Sequence, residues 1–66
     1  MKEGKVKFFN YSKGFGFIQP NNSTEDIYVH ESGLIDRVKD NDLVSYYEEP
    51  GKRGMNAVEV KVIEGN

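Results

Sequence analysis

The chain has 66 residues, enough for one small domain, and a domain of this size buries only about 60% of its unfolded surface. It contains no cysteine, which excludes disulfides and thiolate metal sites, and no apolar run approaches the roughly 20 residues of a membrane span. The net charge of −2 argues against a protein that holds duplex phosphates chiefly by charge, although four phenylalanines and four tyrosines leave other kinds of binding open.

The lack of cysteine suits a reducing compartment, and the opening Met-Lys-Glu-Gly is not a signal peptide. We therefore expect a cytoplasmic protein that makes no contact with a membrane and begins at its own Met1. It should form one domain over residues 1–66, with the marginal stability of a small core.

The first predicted strand covers residues 2–10, with Val6 inward and the lysines on either side of it outward. Phe8 and Phe9 are adjacent, so alternation places one ring on each face of the sheet. Phe8 has the parity of Val6, but a β-bulge between them would reverse the two rings. Residues 10–14 then form a turn, since they are rich in types that tolerate tight backbone geometry.

The second predicted strand begins with Lys-Gly-Phe-Gly-Phe-Ile at 13–18 and stops by Pro20. Phe15 and Phe17 share one face, while Ile18 lies on the opposite face and belongs in a core. The reverse arrangement, with both phenylalanines inside, would leave Ile18 in water, so it is the weaker alternative. The intervening glycine is interpreted as leaving room between two rings.

A polar loop over 20–25 leads to the third predicted strand at 26–30. Here Ile27 and Val29 face inward, while Tyr28 and His30 join the outward phenylalanines of the preceding strand. The two strands together form an open platform of flat rings beside lysines. Single-stranded nucleic acid needs such a surface, because its bases stack on rings and its phosphates meet cations.

The remaining chain predicts one tight turn, an irregular charged segment over 35–42 and a final hairpin. The tight turn covers 31–34 and tucks Leu34 inward. The fourth strand covers 43–49 and the fifth 55–63, joined by a loop over 49–54. The residues expected inside are Val44, Tyr46, Val58, Val60 and Val62; those expected outside are Ser45, Tyr47, Glu59 and Lys61.

Five short strands without a helical stretch predict an all-β domain. Three consecutive strands, a wide connection and a closing hairpin suit a small five-stranded antiparallel Greek-key barrel, the OB-fold, whose second and third strands form its binding face. The predicted rings lie on those two strands.

Lys13–Ile18 is close to the first ribonucleoprotein motif, but RNA recognition domains that carry it need two helices. Taken together with Gly4–Asn10, Asp26–His30 and Gly51–Ala57, it resembles the bacterial cold-shock protein family. The resemblance covers essentially the whole chain. It implies a barrel that binds single-stranded RNA and single-stranded DNA with little sequence preference and acts as an RNA chaperone, influencing transcription or translation.

The resemblance also implies which residues bind nucleic acid. They are Lys7, Phe8, Lys13, Phe15, Phe17, Tyr28, His30 and Arg53. Tyr11 does not come from the resemblance; it is an extra ring beside Lys13 and a candidate for an additional contact. Phe8 is assigned outward because the family usually places an exposed tryptophan there. Three departures weaken the platform: Phe8 is a smaller ring than tryptophan, Glu31 stands where the family often has phenylalanine, and the 35–42 loop is short and lacks an aromatic residue.

Other functions find less support in the sequence. No pair of acidic residues is singled out by spacing, so we expect no enzyme, no small-molecule substrate and no cofactor. One histidine, His30, cannot build a His-based metal cluster. No helix follows Gly14 and Gly16, so they do not cradle a phosphate. Lys52 and Arg53 also fit a solvated hairpin tip, and the ring face also fits a protein-interaction surface. We expect a monomer and leave a strand-exchanged dimer open.

Overall fold

The computed structural model describes residues 1–51 and 54–64. It contains five β-strands and one turn of 3₁₀ helix at Glu31–Gly33, and the described residues form no α-helix. The strands are β1 (Lys2–Asn10), β2 (Phe15–Pro20), β3 (Ile27–His30), β4 (Leu43–Gly51) and β5 (Gly54–Glu64). The predicted all-β class is confirmed, and no helix in the described ranges is long and apolar enough to cross a membrane.

The strands close into a barrel in the order β1-β2-β3-β5-β4, with β4 returning to pair with β1. All neighbouring pairs are antiparallel except β3 and β5, which run parallel. This arrangement places β2 between β1 and β3, so side chains on the outer face of these three strands form one continuous surface.

A β-bulge in β1 determines which phenylalanine faces outward. Val6 pairs with Ile18 and Phe8 pairs with Phe17, so two steps along β1 correspond to one step along β2. The extra residue, Lys7, reverses the alternation. Phe8 is consequently exposed and Phe9 packs against the core, which confirms the predicted assignment.

A second irregularity, in β5, corrects the predicted interior. Ser45 pairs with Lys61 but Tyr47 pairs with Val58, so β5 carries the extra residue, and Glu59 adopts a positive φ of 52°. Ala57 and Val60 are both buried although three positions separate them. Val58, predicted inward, is only half-buried, because Ala57 lies inside instead.

The core is a cluster of small and branched side chains with one large ring. Its buried members are Val6, Ile18, Ile27, Val29, Val38, Val44, Tyr46, Ala57 and Val60. Leu34 packs partly against them, as predicted. Ser45, predicted outward, is only 5% exposed, and its cross-strand partners are Glu3 and Lys61.

The segment over 35–42 is irregular, as predicted, but it is firmly attached to the barrel. Val38 is 2% exposed and belongs to the core. The backbone of Val6 donates to the carbonyl of Asp42 at 2.9 Å and accepts from the amide of Asn41 at 2.7 Å. The carboxylate of Asp36 accepts from the amide of Val62 at 3.0 Å. A segment predicted only as charged and irregular therefore contributes a side chain to the interior.

The final hairpin is tighter than the predicted loop over 49–54. β4 continues through Gly51 and β5 begins at Gly54, and these two residues pair with each other. The prediction failed because Pro50 and the glycines were interpreted as a loop, whereas they extend the ladder.

Candidate nucleic-acid interface

Four aromatic rings lie together on the outer face of β1, β2 and β3. This ring cluster consists of Phe8, Phe15, Phe17 and Tyr28. The strand register aligns Phe8 with Phe17 and Phe17 with Tyr28 in one row across the three strands. Phe15 and Tyr28 lie nearly parallel, with centroids 5.8 Å apart and an interplanar angle of 20°. The centroids of Phe8 and Phe17 are 5.6 Å apart.

The inner face of β2 explains why these rings point outward. Ile18 is fully buried there, and Gly16 lies against β1. A Cβ added to Gly16 would come within 2.3 Å of the Phe8 carbonyl oxygen and 2.7 Å of the Phe9 ring, so a side chain cannot fit. Glycine therefore makes room for Phe9 and the β1 backbone, not for two rings of the outer cluster. The alternative with both β2 phenylalanines inside is excluded.

The rings cover one another in part and leave faces and edges open. Phe8 is 41% exposed, and the other three members of the ring cluster are half-buried. Phe17 meets Phe15 and Tyr28 edge-on, at interplanar angles of 89° and 75°. Edge-to-face pairs of this kind hold the rings in place without covering their outer surfaces. The result is an apolar platform in which each ring packs against at least two others.

Lys7 lies in the β1 bulge beside this platform, and its ammonium group forms an ion pair. Its ammonium nitrogen is 3.3 Å from a carboxylate oxygen of Asp26. The side chains of Lys7 and Asp26 are 51% and 33% exposed, respectively. This ion pair joins residues 19 positions apart, and no local pattern in the sequence indicates it.

Lys13 and His30 lie at the other end of the platform. Lys13 is exposed in the turn after β1, where its amide donates to the Asn10 side chain at 3.1 Å. His30 pairs with Phe15 across the ladder. Its Nδ1 accepts from the Ser32 amide at 3.1 Å and lies 2.9 Å from the Ser32 hydroxyl. These contacts fix the orientation of the imidazole and leave Nε2 as its second polar atom.

Tyr11, the candidate additional ring beside Lys13, is held by contacts outside the ring cluster. Its ring packs against Phe9, with centroids 4.6 Å apart, and the Arg37 guanidinium lies 4.0 Å from its centroid. Its hydroxyl donates to the Val38 carbonyl at 2.7 Å and accepts from the Val38 amide at 2.8 Å. Tyr11 therefore attaches the 35–42 segment to the barrel, and among the described residues no aromatic contact links it to the ring cluster.

Two further positions complete the account of the predicted site. Arg53 lies outside the described residues. Glu31 is exposed directly after His30, and its amide donates to the Gly14 carbonyl at 2.9 Å. A Cβ added to Gly14 would lie 3.3 Å from the Glu31 carboxyl carbon, so this carboxylate sits against the β1–β2 turn.

Carboxylates also line a groove at the end of the platform opposite Lys13. Phe17 and Tyr28 form part of its wall, with Glu25, Asp26 and Glu48 among the other lining residues. In the described part of the chain, no group of three or more histidines, aspartates or glutamates could hold a metal ion. The ring cluster and the residues around it offer aromatic stacking flanked by a few charges of both signs.

A family model described as the 'cold-shock' DNA-binding domain matches residues 2–63. Cold shock protein CapB of Pseudomonas syringae pv. tomato is 44% identical over 64 residues, which cover 91% of this chain and 91% of that protein. Cold shock protein CapA of Pseudomonas fragi is 42% identical over 60 residues, covering 85% of this chain and 94% of that protein.

The solved structure of drosophila Unr CSD456 matches the fold with a TM-score of 0.80 over 98% of this chain. The two sequences are 19% identical in that match, and this chain spans 27% of that chain. At this identity the likeness concerns the fold alone, and it confirms the predicted five-stranded OB-fold barrel.

Proposed function

The chain belongs to the cold-shock domain family, a family of nucleic-acid-binding domains, and from that premise we propose that it binds single-stranded RNA and single-stranded DNA. The observation that carries the proposal is the ring cluster. Four rings on three adjacent strands offer open faces to unpaired bases. A base presents such a face only when it is free of a duplex stack, which is the basis for single-strand preference.

The charge distribution supports the same preference. The net charge is −2, and carboxylates of Glu25, Asp26 and Glu48 lie around one end of the platform. A duplex presents a dense array of phosphates, which this surface would repel as much as attract. A single strand can place its bases on the rings and bring only a few phosphates near Lys7, Lys13 and Arg53.

We extend the proposal to an RNA chaperone that influences transcription or translation. A protein that binds unpaired bases with little sequence preference shifts weak hairpins toward the open state, by mass action on the unpaired form. It needs no catalytic group or cofactor for this task. We propose that the chain acts as a single monomeric domain in the cytoplasm.

The direct test is a pair of binding isotherms, for a fluorescently labelled oligothymidine and for a duplex of matched length. We expect at least about tenfold tighter binding of the single strand. With three cations near the strand, log K should fall with log salt at a slope of about −2, since each phosphate contributes about −0.7. Equal affinity for both ligands, or a slope steeper than about −5, would show that phosphate attraction dominates and would contradict the proposal.

The chaperone activity has its own test. A weak RNA hairpin that carries a fluorophore and a quencher should open as protein is added, with a midpoint near the affinity for unpaired RNA. A hairpin with a longer, stable stem serves as the control and should stay closed. Binding to oligomers without opening of the weak hairpin would restrict the function to single-strand binding.

A further inference from the structure

The side chains of Phe9, Tyr11 and Arg37 form a second group of packed planes, outside the ring cluster. The ring centroids of Phe9 and Tyr11 are 4.6 Å apart, and the Arg37 guanidinium lies over the Tyr11 ring, 4.0 Å from its centroid. The Tyr11 hydroxyl bonds to both backbone groups of Val38, the residue that follows Arg37. The guanidinium is therefore held against a ring that has contacts of its own on two sides.

The outer side of this second group is open. Arg37 is exposed, whereas Tyr11 beneath it is half-buried. In the part of the chain that the structure describes, no carboxylate forms a salt bridge with Arg37. The neighbouring carboxylate of Asp36 accepts a hydrogen bond from the Val62 amide. One face of the guanidinium thus lies on a ring, and the opposite face is available to a ligand.

We propose that the open face of Arg37 is a stacking site for one further base of the bound single strand, so that the interface continues from the ring cluster onto the 35–42 segment. The inference rests on the proposed function, because it requires a strand on the ring cluster. Unpaired bases stack on arginine planes as they do on aromatic rings. Tyr11 is a positioning residue in this arrangement, because it orients the guanidinium without touching the base.

The topology places Arg37 at the end of the platform that carries Lys13. Asn10 pairs with Phe15 in the ladder of β1 and β2, and Tyr11 is the residue after Asn10. Neighbouring strands are about 4.8 Å apart and consecutive Cα atoms about 3.8 Å, so the Cα atoms of Tyr11 and Phe15 are within about 9 Å of each other. A stacked strand rises about 3.4 Å per nucleotide, so about three nucleotides cover this distance.

The charge of the 35–42 segment favours a base over a phosphate at this position. The segment contains two cations, Arg37 and Lys39, and three aspartates, at 36, 40 and 42. A phosphate would meet this net negative charge, whereas a neutral base would not. Because the contact involves a neutral base, its contribution to affinity should depend little on salt.

The expected size of the contribution follows from the exposure of the guanidinium. A base stacked on an aromatic side chain contributes a factor of about 5 to 150 in affinity. An exposed cation–π contact contributes a factor of about 2 to 5. A base on the solvent-exposed Arg37 plane should therefore contribute about 3- to 10-fold.

Arg37→Lys separates stacking from charge, because lysine keeps the cation but has no planar group. The experiment titrates oligothymidines of increasing length, from about 4 to about 10 nucleotides, at low and at high salt. The wild type should gain a step of about 3- to 10-fold over Arg37→Lys once the oligomer is long enough to reach Arg37. The two proteins should bind the shortest oligomers equally, and the difference for the longer ones should persist at high salt.

A matched pair of variants controls for the loss of a positive charge. Arg37→Gln and Lys61→Gln change the net charge equally, but Lys61 is exposed on β5, where it pairs with Ser45 of β4. Arg37→Gln should lose the length-dependent step, and Lys61→Gln should retain it. Thermal unfolding of each variant measures the folded fraction at the temperature of the titration, so that affinities are compared per folded molecule.

Three results would overturn the Arg37 stack while the proposed function stands. They are a length-dependent step that Arg37→Lys retains, a difference between wild type and Arg37→Lys that disappears at high salt, and an equal loss in Lys61→Gln and Arg37→Gln. The first two would leave Arg37 without a stacking role, and the third would indicate a general effect of net charge. If the wild type binds none of the oligothymidines, the proposed function is wrong and the Arg37 stack is wrong with it.

Discussion

Phe8 and Phe9 are neighbours in the chain with identical side chains, yet they belong to two different groups of rings. Phe8 is 41% exposed and contacts Phe15 and Phe17 in the ring cluster. Phe9 packs against the core and against Tyr11, which in turn holds the 35–42 segment. One group forms a surface available for ligands, and the other attaches a loop to the barrel.

The contrast shows that a single extra residue distributes these functions. Without the bulge at Lys7, strict alternation would place Phe8 beside Val6 in the interior and Phe9 outside. The bulge also places Lys7 itself at the edge of the platform. Aromatic composition alone therefore does not show which rings are exposed on the outer face; the register of β1 against β2 does.

The largest expected effect is a difference in the free energy of unfolding between variants of Phe9 and Phe8. Phe9→Ala removes a ring from the edge of the core and from its contact with Tyr11, and should lower the free energy of unfolding by about 3 kcal/mol. Phe8→Ala should lower it by less than about 1 kcal/mol, because a surface ring buries little area. Urea unfolding of both variants measures the difference. Similar losses for the two would indicate that Phe8 packs more deeply than its exposure suggests.

Binding should show the opposite ranking. Phe15→Ala removes the ring that lies parallel to Tyr28 and should weaken oligothymidine binding by about 1–3 kcal/mol, the usual value of one base stack on an aromatic ring. The free energy of unfolding should change little. Phe17→Ala and Tyr28→Ala should behave in the same way. If Phe15→Ala unfolds the protein while binding per folded molecule is unchanged, the ring cluster is part of the core and not a binding surface.

The ring face could be predicted from the sequence because a strand has a side-chain period of two. Alternation around Ile18 and across Ile27 and Val29 places the neighbouring rings outward without any knowledge of the rest of the barrel. The same rule failed in β5, where a bulge at Glu59 makes Ala57 and Val60 both inward. A bulge breaks the period, and nothing in the local residue types required one there.

Contacts between distant segments could not be predicted from local patterns. The ion pair of Lys7 and Asp26 spans 19 positions, and the bonds between Tyr11 and Val38 span 27. Such pairs depend on strand register and on the path of a loop, both of which are set by the whole fold. The bonds of Tyr11 to Val38 and the burial of Val38 could therefore not be predicted, and charged residues surround Val38 in the sequence.

Two tyrosines also differ in their environment, because within the described ranges the hydroxyl of one is hydrogen-bonded and the hydroxyl of the other is not. Tyr11 both donates to and accepts from the Val38 backbone. The hydroxyl of Tyr46 is fully buried and has no hydrogen-bond partner among the described residues. Tyr11→Phe should therefore destabilise the protein by about 1–2 kcal/mol, whereas Tyr46→Phe should stabilise it by about 1 kcal/mol. Urea unfolding at neutral pH tests both signs, and a loss of stability in Tyr46→Phe would mean that its hydroxyl finds a partner.

The wild type and Tyr46→Phe should also differ in how their stability depends on pH in the alkaline range. Burial raises the pKa of Tyr46 above its ordinary value of 10.0, and the negative charge of Glu48 raises it further. A phenol whose pKa is higher in the folded state than in the unfolded state contributes stability below pH 10.0, and this contribution is lost as the pH rises toward the folded pKa. The advantage of Tyr46→Phe should therefore grow above about pH 10. An advantage that stays constant from pH 8 to pH 11 would contradict this coupling.

The smallest expected effect concerns the rim of the ring cluster, where this chain has Glu31 directly after His30. Its carboxylate lies against Gly14 at the basic end of the platform, where it cannot stack and repels phosphate. Glu31→Gln should tighten oligothymidine binding slightly at low salt and hardly at high salt, because salt screens an exposed charge. Glu31→Phe should tighten binding at both salt concentrations. The gain should be smaller than that of a full base stack, which is worth about 1–3 kcal/mol, because the β1–β2 turn lies against this position and covers part of the ring.

The two Glu31 variants together show where the nucleic acid leaves the platform. The glutamine removes the charge without adding a ring, so the difference between the variants at high salt reports stacking alone. A clear advantage for phenylalanine would extend the path of the bound strand past His30 to the turn that holds Glu31. If phenylalanine binds no better than glutamine at high salt, no base reaches position 31. The strand must then leave the ring cluster before the end of β3, and the interface is limited to Phe8, Phe15, Phe17 and Tyr28 with the charges beside them.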